Sequence, residues 1–362
     1  MKRFFQVIDY PLLLIVLSIM AVGLITIYSA TLDSTHRMQS QMQNLGIALL
    51  IMWMVAFISP KQWAKISPLF YLIGIVLLLC VFFCGITVNG AKRWLSLGFT
   101  RIQPSEMLKI TTPMVLAWFF HHFEGARDWR HFLIAFILLA IPFFLIAKQP
   151  DLGTAILVGA CGFFVIFLAG LPWKIIIGAL VLSLSSAPFL WNLLHDYQKK
   201  RILTLLDPTT DPLGAGYHII QSTIAIGSGG TLGKGFLKGT QTHLEFIPEK
   251  HTDFIFAVFS EEWGFLGNAT LLFLYFLLIA RGLIIAYRAQ TTFSRLLAAA
   301  ITLGFFTYVF INMGMVSGIL PVVGVPLPFM SYGGTALLTL FIGVGLLMSI
   351  QAQTHQIKKS FL

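Results

Sequence analysis

Apolar residues in this chain neither alternate nor share their stretches with regularly spaced polar ones; they run almost unbroken for about twenty positions at a time between short polar breaks. Runs of ~20 apolar residues match the ~30 Å hydrocarbon core of a bilayer, where only a helix satisfies its own backbone polar groups. The pattern predicts ten spans: Pro11 to Ala30, Gln41 to Ile58, Leu69 to Val88, Ser105 to Phe120, Phe132 to Ala147, Leu152 to Leu171, Trp173 to Leu194, Leu266 to Ala286, Leu296 to Val316 and Met330 to Ile350. Lys2 and Arg3 precede the first run as in a secretory leader, but the run is longer than a leader's ~7–15 apolar residues and reads as a retained helix. The expected fold is an all-α integral membrane protein, one polytopic domain over residues 1–362, with a large loop of about 195–265 between the seventh and eighth helices.

Composition excludes the alternatives to a membrane protein. Of 362 residues, 57% are hydrophobic and only 10% charged, against ~25% charged in soluble domains. The net charge of +10 does not point to nucleic acid, because Lys and Arg are scattered among apolar spans and form no basic module. They orient the chain instead. An even span count places both termini on one side, and Lys/Arg bias makes that side cytoplasmic: Lys2, Arg3, Lys61, Lys65, Arg127, Arg130, Lys174, Arg281, Arg288, Arg295, Lys358 and Lys359 fall inside. Outside the long loop, Arg37, Lys92, Arg93, Arg101, Lys109 and Lys148 fall on the outer side. Cys80, Cys84 and Cys161 lie within apolar runs, which excludes a secreted disulfide framework and predicts core packing.

Outer-side cations oppose the insertion preference, so the sequence points to an anion bound there, with snorkelling to headgroups as the competing reading for any single residue. The first group runs from Lys92-Arg93-Trp94 through Arg101-Ile-Gln-Pro-Ser-Glu106-Met-Leu-Lys109. Pro104 suits a helix start; Glu106 and Lys109, three apart, share a face and either pair structurally or meet substrate. Arg101 lies outside the span and is assigned to an anion. In Lys148-Gln-Pro-Asp151-Leu-Gly-Thr154, Asp151 either caps the sixth helix or contacts substrate or metal.

The long loop is too rich in Gly, Tyr, Phe and Ile to be a disordered linker, and its glycines do not form a phosphate loop because Gly235 follows Lys234 where Ser or Thr is required. Near its end Pro248 is expected to start a helix carrying Glu249 and Asp253 one turn apart. Asp253 precedes the run Phe254-Ile-Phe-Ala-Val-Phe259, where desolvation without a role is costly. Finally, the three prolines and four glycines between Gly318 and Gly334 forbid a continuous helix, so this segment must be covered by protein or line a cavity.

These motifs in combination resemble the SEDS family (shape, elongation, division and sporulation) of peptidoglycan glycosyltransferases: Arg101-Ile-Gln-Pro-Ser-Glu-Met-Leu-Lys109, Gln149-Pro-Asp-Leu-Gly-Thr154, Pro248-Glu-Lys-His-Thr-Asp-Phe-Ile-Phe256 and Pro326-Leu-Pro-Phe-Met-Ser-Tyr-Gly-Gly334. The likeness covers essentially the whole chain. Ala225-Ile-Gly-Ser-Gly-Gly230, Gly233-Lys-Gly235 and Pro321-Val-Val-Gly-Val-Pro326 point to the elongation member over the division member. The resemblance implies polymerisation of lipid II on the outer leaflet of the bacterial inner membrane during elongation, with Asp253 the catalytic carboxylate and Arg101, Glu106, Lys109 and Asp151 in the functional core. It also implies a class B penicillin-binding protein transpeptidase as partner, beside other membrane proteins of the elongation complex.

The chemistry agrees. A glycosidase needs two carboxylates to manage its leaving group, whereas a lipid diphosphate leaves well once its charge is neutralised. One acid and several cations are then expected: Asp253 as general base, with Glu249 next to it, and Arg101, Lys109 and Lys92 or Arg93 toward the diphosphate. A divalent cation, Mg or Mn, would bridge the diphosphate to a carboxylate such as Asp151, although no dense ligand motif demands one. The rival function is a flippase for the lipid-linked precursor, which would place its site near the midplane between repeated halves.

Overall fold

A computed structural model describes residues 7–31, 35–88, 91–96, 101–123, 128–193, 196–211, 214–247 and 249–360. Among them thirteen α-helices dominate: α1 (Tyr10–Ala30), α2 (Thr35–Phe57), α3 (Pro60–Cys84), α4 (Pro104–His122), α5 (Trp129–Ala147), α6 (Leu152–Leu168), α7 (Trp173–Leu193), α8 (Asp196–Leu206), α9 (Ala215–Ser228), α10 (Thr240–His243), α11 (Ile255–Arg288), α12 (Thr292–Val316) and α13 (Thr335–Ser360). By length and composition, seven candidate spans stand out, in α1, α2, α3, α5, α11, α12 and α13, and α6 and the first part of α7 are shorter apolar helices.

The fourth predicted span, α4, is a helix but not one of the seven. The reason is its position. It is buried over nearly all its circumference, packing against α3, α5, α6, α12 and α13. A helix covered by protein needs no continuous lipid-facing apolar surface and can carry Glu106 and Lys109. Around it, α2 packs on α13, α11 on α12 and α1, and α6 on α5 and α12.

Local signals account for the helix starts. Asp9 accepts from Leu12 N at 2.9 Å and caps α1, Ser59 and Gln62 form a capping box at α3, and Pro104 occupies the first turn of α4. Asp9 also receives two hydrogen bonds from Arg281 at 3.1 and 2.5 Å, which ties α1 to α11.

The structure corrects several boundaries. The third span was expected to run to Val88, but α3 starts at Pro60 and stops at Cys84; Ile86–Val88 forms strand β1, which pairs antiparallel with β2 (Ala91–Ser96), itself paired with β3 (Arg101–Ile102). The chain is therefore not purely α-helical. Gly85 ends the helix, and the β-branched Ile86-Thr87-Val88 favours the extended form. The helix of the tenth expected span, α13, starts at Thr335, after the proline- and glycine-rich segment, and not at Met330. Cys80 and Cys84 are exposed and not core, because a spanning helix keeps apolar residues on its outward face too; Cys161 is buried as expected. Lys2, Arg3, Leu194, His195 and Pro248 lie outside the described residues.

The long connection is ordered into α8, a 3₁₀ turn (Pro208–Thr210), α9 and α10. It locks onto α11 where that helix is interrupted at Gly264 (φ +63°). Lys234 N and Gly235 N donate to Glu261 O and Glu262 O at 3.0 Å each, and Phe265 N donates back to Gly230 O at 2.9 Å. A Cβ on Gly233 would stand 2.1 Å from Glu262 O, so only glycine permits this crossing. The buried Glu261 carboxylate adds bonds from Lys234 Nζ (2.7 Å), Gln241 N (2.9 Å) and Thr242 Oγ1 (3.1 Å).

Candidate active site

Four breaks in the helical bundle meet in one strip of contacts. Its first part is the small sheet and the start of α4. Lys92 Nζ donates to the carbonyls of Phe82 (2.6 Å) and Phe83 (3.2 Å), the unpaired C-terminal end of α3. Arg93 donates to Gln149 O (3.3 Å) and Pro150 O and lies 3.9 Å from Asp151 Oδ1. Both cations thus serve to fasten the sheet to its neighbours. Arg101 differs: it is exposed on β3, and its guanidinium has no partner among the described residues.

Glu106 and Lys109 pair at 2.6 Å, both buried, with the ammonium 5.1 Å from the centre of the Tyr308 ring. The second oxygen, Glu106 Oε2, is buried without a partner among the described residues. Glu106 lines an apolar groove of about 420 Å³ formed by α2, α3, α4 and α13, with Gln103, Thr111 and Thr335.

Asp151 caps α6 through Thr154 N (3.2 Å), and its Oδ2 accepts from Gln103 Nε2 (2.9 Å). A Cβ on Gly153, two residues on, would stand 2.7 Å from Val323 O, so this turn lies directly against the 321–326 segment. Each Asp151 oxygen thus holds one hydrogen bond, and the Arg93 guanidinium lies alongside. Among the described residues no group of three or more His, Cys, Asp or Glu could hold a metal.

Asp253 lies on the far side of the same segment. The structure corrects the expected helix here: residues 249–253 form turns, Glu249 has φ +48°, and α11 starts only at Ile255. Glu249 is spent partly on its own turn, accepting from Thr252 Oγ1 at 2.9 Å. The half-buried Asp253 carboxyl makes no hydrogen bond or ion pair among the described residues. Burial first, and the negative charge of Glu249 second, push its pKa up to about 6.

Sequence reasoning missed two histidines beside this turn. His218 on α9 stacks on Phe254 with ring centres 5.5 Å apart, and His251 meets Tyr332 edge-on at 5.8 Å. Burial holds both imidazoles below the ordinary histidine pKa, with Glu249 opposing the shift, so both are neutral near pH 7. It also missed Asn312 and Ser331, which bond the backbone around Asp253. The single side-chain amide in the largely apolar run Leu296 to Val316 was the available signal for Asn312.

The arrangement offers an ionisable carboxyl of raised pKa, an unpartnered cation and an adjoining apolar groove. That combination suits a substrate that is both anionic and lipid-anchored.

Comparison with known proteins identifies the family. Residues 10–356 match the FtsW, RodA and SpoVE family, described as a cell cycle protein. The chain is 50% identical over 354 residues to the peptidoglycan glycosyltransferase MrdB of Escherichia coli K12, covering 98% of this chain and 96% of that one. It is 32% identical over 423 residues to the peptidoglycan glycosyltransferase RodA of Treponema pallidum, covering 95% and 98%. Among solved structures, a chain from a study of how a peptidoglycan synthase complex coordinates polymerization and crosslinking superposes with a TM-score of 0.83 at 34% identity, covering 96% of this chain and 98% of that one. RodA of Thermus thermophilus superposes with a TM-score of 0.73 at 29% identity, with the same coverage. The chain belongs to the FtsW/RodA/SpoVE family.

Proposed function

We propose that this chain is a peptidoglycan glycosyltransferase that polymerises lipid II on the outer face of the bacterial cytoplasmic membrane during cell elongation. Asp253 takes the proton of the acceptor hydroxyl as that oxygen attacks the anomeric carbon; the carbon–diphosphate bond breaks, and the lipid diphosphate departs with its charge stabilised by Arg101. Lys109 and Glu106 reach the substrate only from within the bundle, and Lys92, Arg93 and Asp151 shape the rim from which Arg101 projects. Glu249 acts on Asp253 through its charge. The observation that carries this reading is the half-buried Asp253 carboxyl, which makes no hydrogen bond or ion pair among the described residues; burial raises its pKa to about 6, so it is ionised at neutral pH yet more basic than a solvated aspartate.

The same reading places both termini in the cytoplasm, ten spans across the membrane and the 195–265 connection outside. Cysteine labelling near Gly239 tests that topology, and reactivity solely from the cytoplasmic side would overturn it. A class B penicillin-binding protein is the partner, since polymerised glycan must be cross-linked and the superposing synthase chain comes from a complex that couples the two activities. Incubating the purified chain, alone and with its transpeptidase, with labelled lipid II should yield glycan polymer. Transbilayer movement of lipid II without polymer would favour the flippase instead.

A further inference from the structure

Residues 251–253 belong to no helix or strand, yet their three consecutive carbonyls are all bonded from one neighbourhood. Tyr332 N donates to His251 O at 2.9 Å, Ser331 Oγ to Thr252 O at 2.7 Å, and Asn312 Nδ2 to Asp253 O at 2.8 Å. Asp253 precedes the N-cap Phe254, whose carbonyl is the first to accept within α11, from Ala257 N at 3.0 Å, so the Asp253 carbonyl has no partner in the helix. The carbonyl is left for Asn312. The second N–H of the same buried amide donates to Val325 O at 2.7 Å, and Ser331 Oγ accepts from Leu327 N at 2.8 Å.

The segment that supplies these bonds is itself anchored. Tyr275 Oη on α11 donates to Pro328 O at 2.7 Å, and Gln41 Oε1 on α2 accepts from Gly333 N at 3.2 Å. The segment also passes directly beneath the carboxylate: a Cβ on Gly324 (φ +73°) would stand 3.4 Å from Asp253 Oδ2.

Hydrogen bonds to a carboxylate stabilise its ionised form and weaken it as a base, and the Asp253 carboxyl makes none among the described residues. Its direction must come from the main chain that bears it. Resting on the assignment of Asp253 as the base, we propose that Asn312 and Ser331 are positioning residues that aim its carboxylate by holding the Thr252 and Asp253 carbonyls on the 321–333 segment. Neither touches the reacting atoms. They act on the rate of proton removal and leave substrate affinity alone.

The test is steady-state polymerisation of labelled lipid II by the full-length chain in complex with its transpeptidase, normalised to folded protein. Asn312→Ala and Ser331→Ala should lower kcat by about 10- to 100-fold, because misplacement of ~1 Å costs up to ~10²-fold, while KM stays within about twofold. Ser331→Thr keeps the hydroxyl and should retain most of the rate. Ser331→Ala removes only one oxygen and covers the case in which Asn312→Ala does not accumulate. The positioning role is overturned if both alanine variants keep wild-type kcat, if their losses lie wholly in KM, or if Ser331→Thr is as poor as Ser331→Ala. Asp253→Asn measured alongside separates the two ideas: near-normal activity there overturns the base assignment, whereas an inactive Asp253→Asn beside fully active alanine variants overturns only the positioning role.

Discussion

Glu106 and Asp253 are both acids in the same contact strip, and they are held in opposite ways. Glu106 is paired through one oxygen with Lys109 at 2.6 Å, inside a helix that is protein-covered on nearly every side. Asp253 has no cation paired with it among the described residues and sits in a turn fixed by its backbone. A buried carboxylate that is paired contributes order, and breaking the pair strands a charge; an unpaired, half-buried one keeps a raised pKa and a free lone pair. The cations divide the same way. Lys92 and Arg93 are spent on carbonyls, whereas the exposed Arg101 has no partner among the described residues.

The largest effect should come from breaking the paired side. Lys109→Ala leaves Glu106 buried without its counter-charge and should cost about 3–5 kcal/mol of stability, seen as loss of folded protein, and adding Glu106→Gln should restore much of it. Equal yields of single and double variant would mean the pair is not structural. On the unpaired side, Asp253→Asn should reduce polymerisation by about 10²-fold, equivalent to ~2.7 kcal/mol of barrier, with folded yield unchanged. If its yield falls as far as that of Lys109→Ala, the contrast fails. Arg101→Ala should cut kcat/KM about tenfold and leave thermal stability untouched, because an exposed guanidinium buries little; normal polymerisation would remove it from diphosphate binding.

The smallest effect sharpens the electrostatics of the Asp253 turn. A base must be ionised to act, so kcat/KM should fall as the pH drops through about 6, the raised value for Asp253. Glu249 contributes to that rise, so Glu249→Gln should move the acid limb to lower pH by a fraction of a unit; the nearby His218, His251, Lys250 and Arg37 stay in place. A shift to higher pH, or none, would show that Glu249 does not act on Asp253.

Much of the architecture could be read from the chain because a bilayer punishes exposed backbone, leaving helix as the form for each long apolar run. Each expected apolar run is helical over most of its length, and seven helices are long and apolar enough to cross a membrane; the third run gained its first turns from Pro60-Lys-Gln-Trp and lost its tail to a strand. Ends were poorly legible because lipid tolerates polar residues in terminal turns, as in α3, where Lys61 and Lys65 lie inside the helix. Pro248 and Glu249 suggested a helix start by composition, but the bonds from Ser331 and Asn312 hold the backbone there in turns until Ile255.

What the sequence alone determined is which residues could do chemistry: ionisable groups are costly in or beside a membrane, so Arg101, Glu106, Lys109, Asp151 and Asp253 stood out against an apolar background. Only the tertiary structure decided how each is used. Whether a charge is paired with a neighbour, spent on a helix end or left open depends on side chains distant in sequence, and no local pattern encodes them. Asp253 and Asn312 meet across 59 positions, and Gln103 and Asp151 across 48. Burial imposes the same demand for partners on every polar group, but packing chooses which partner answers it.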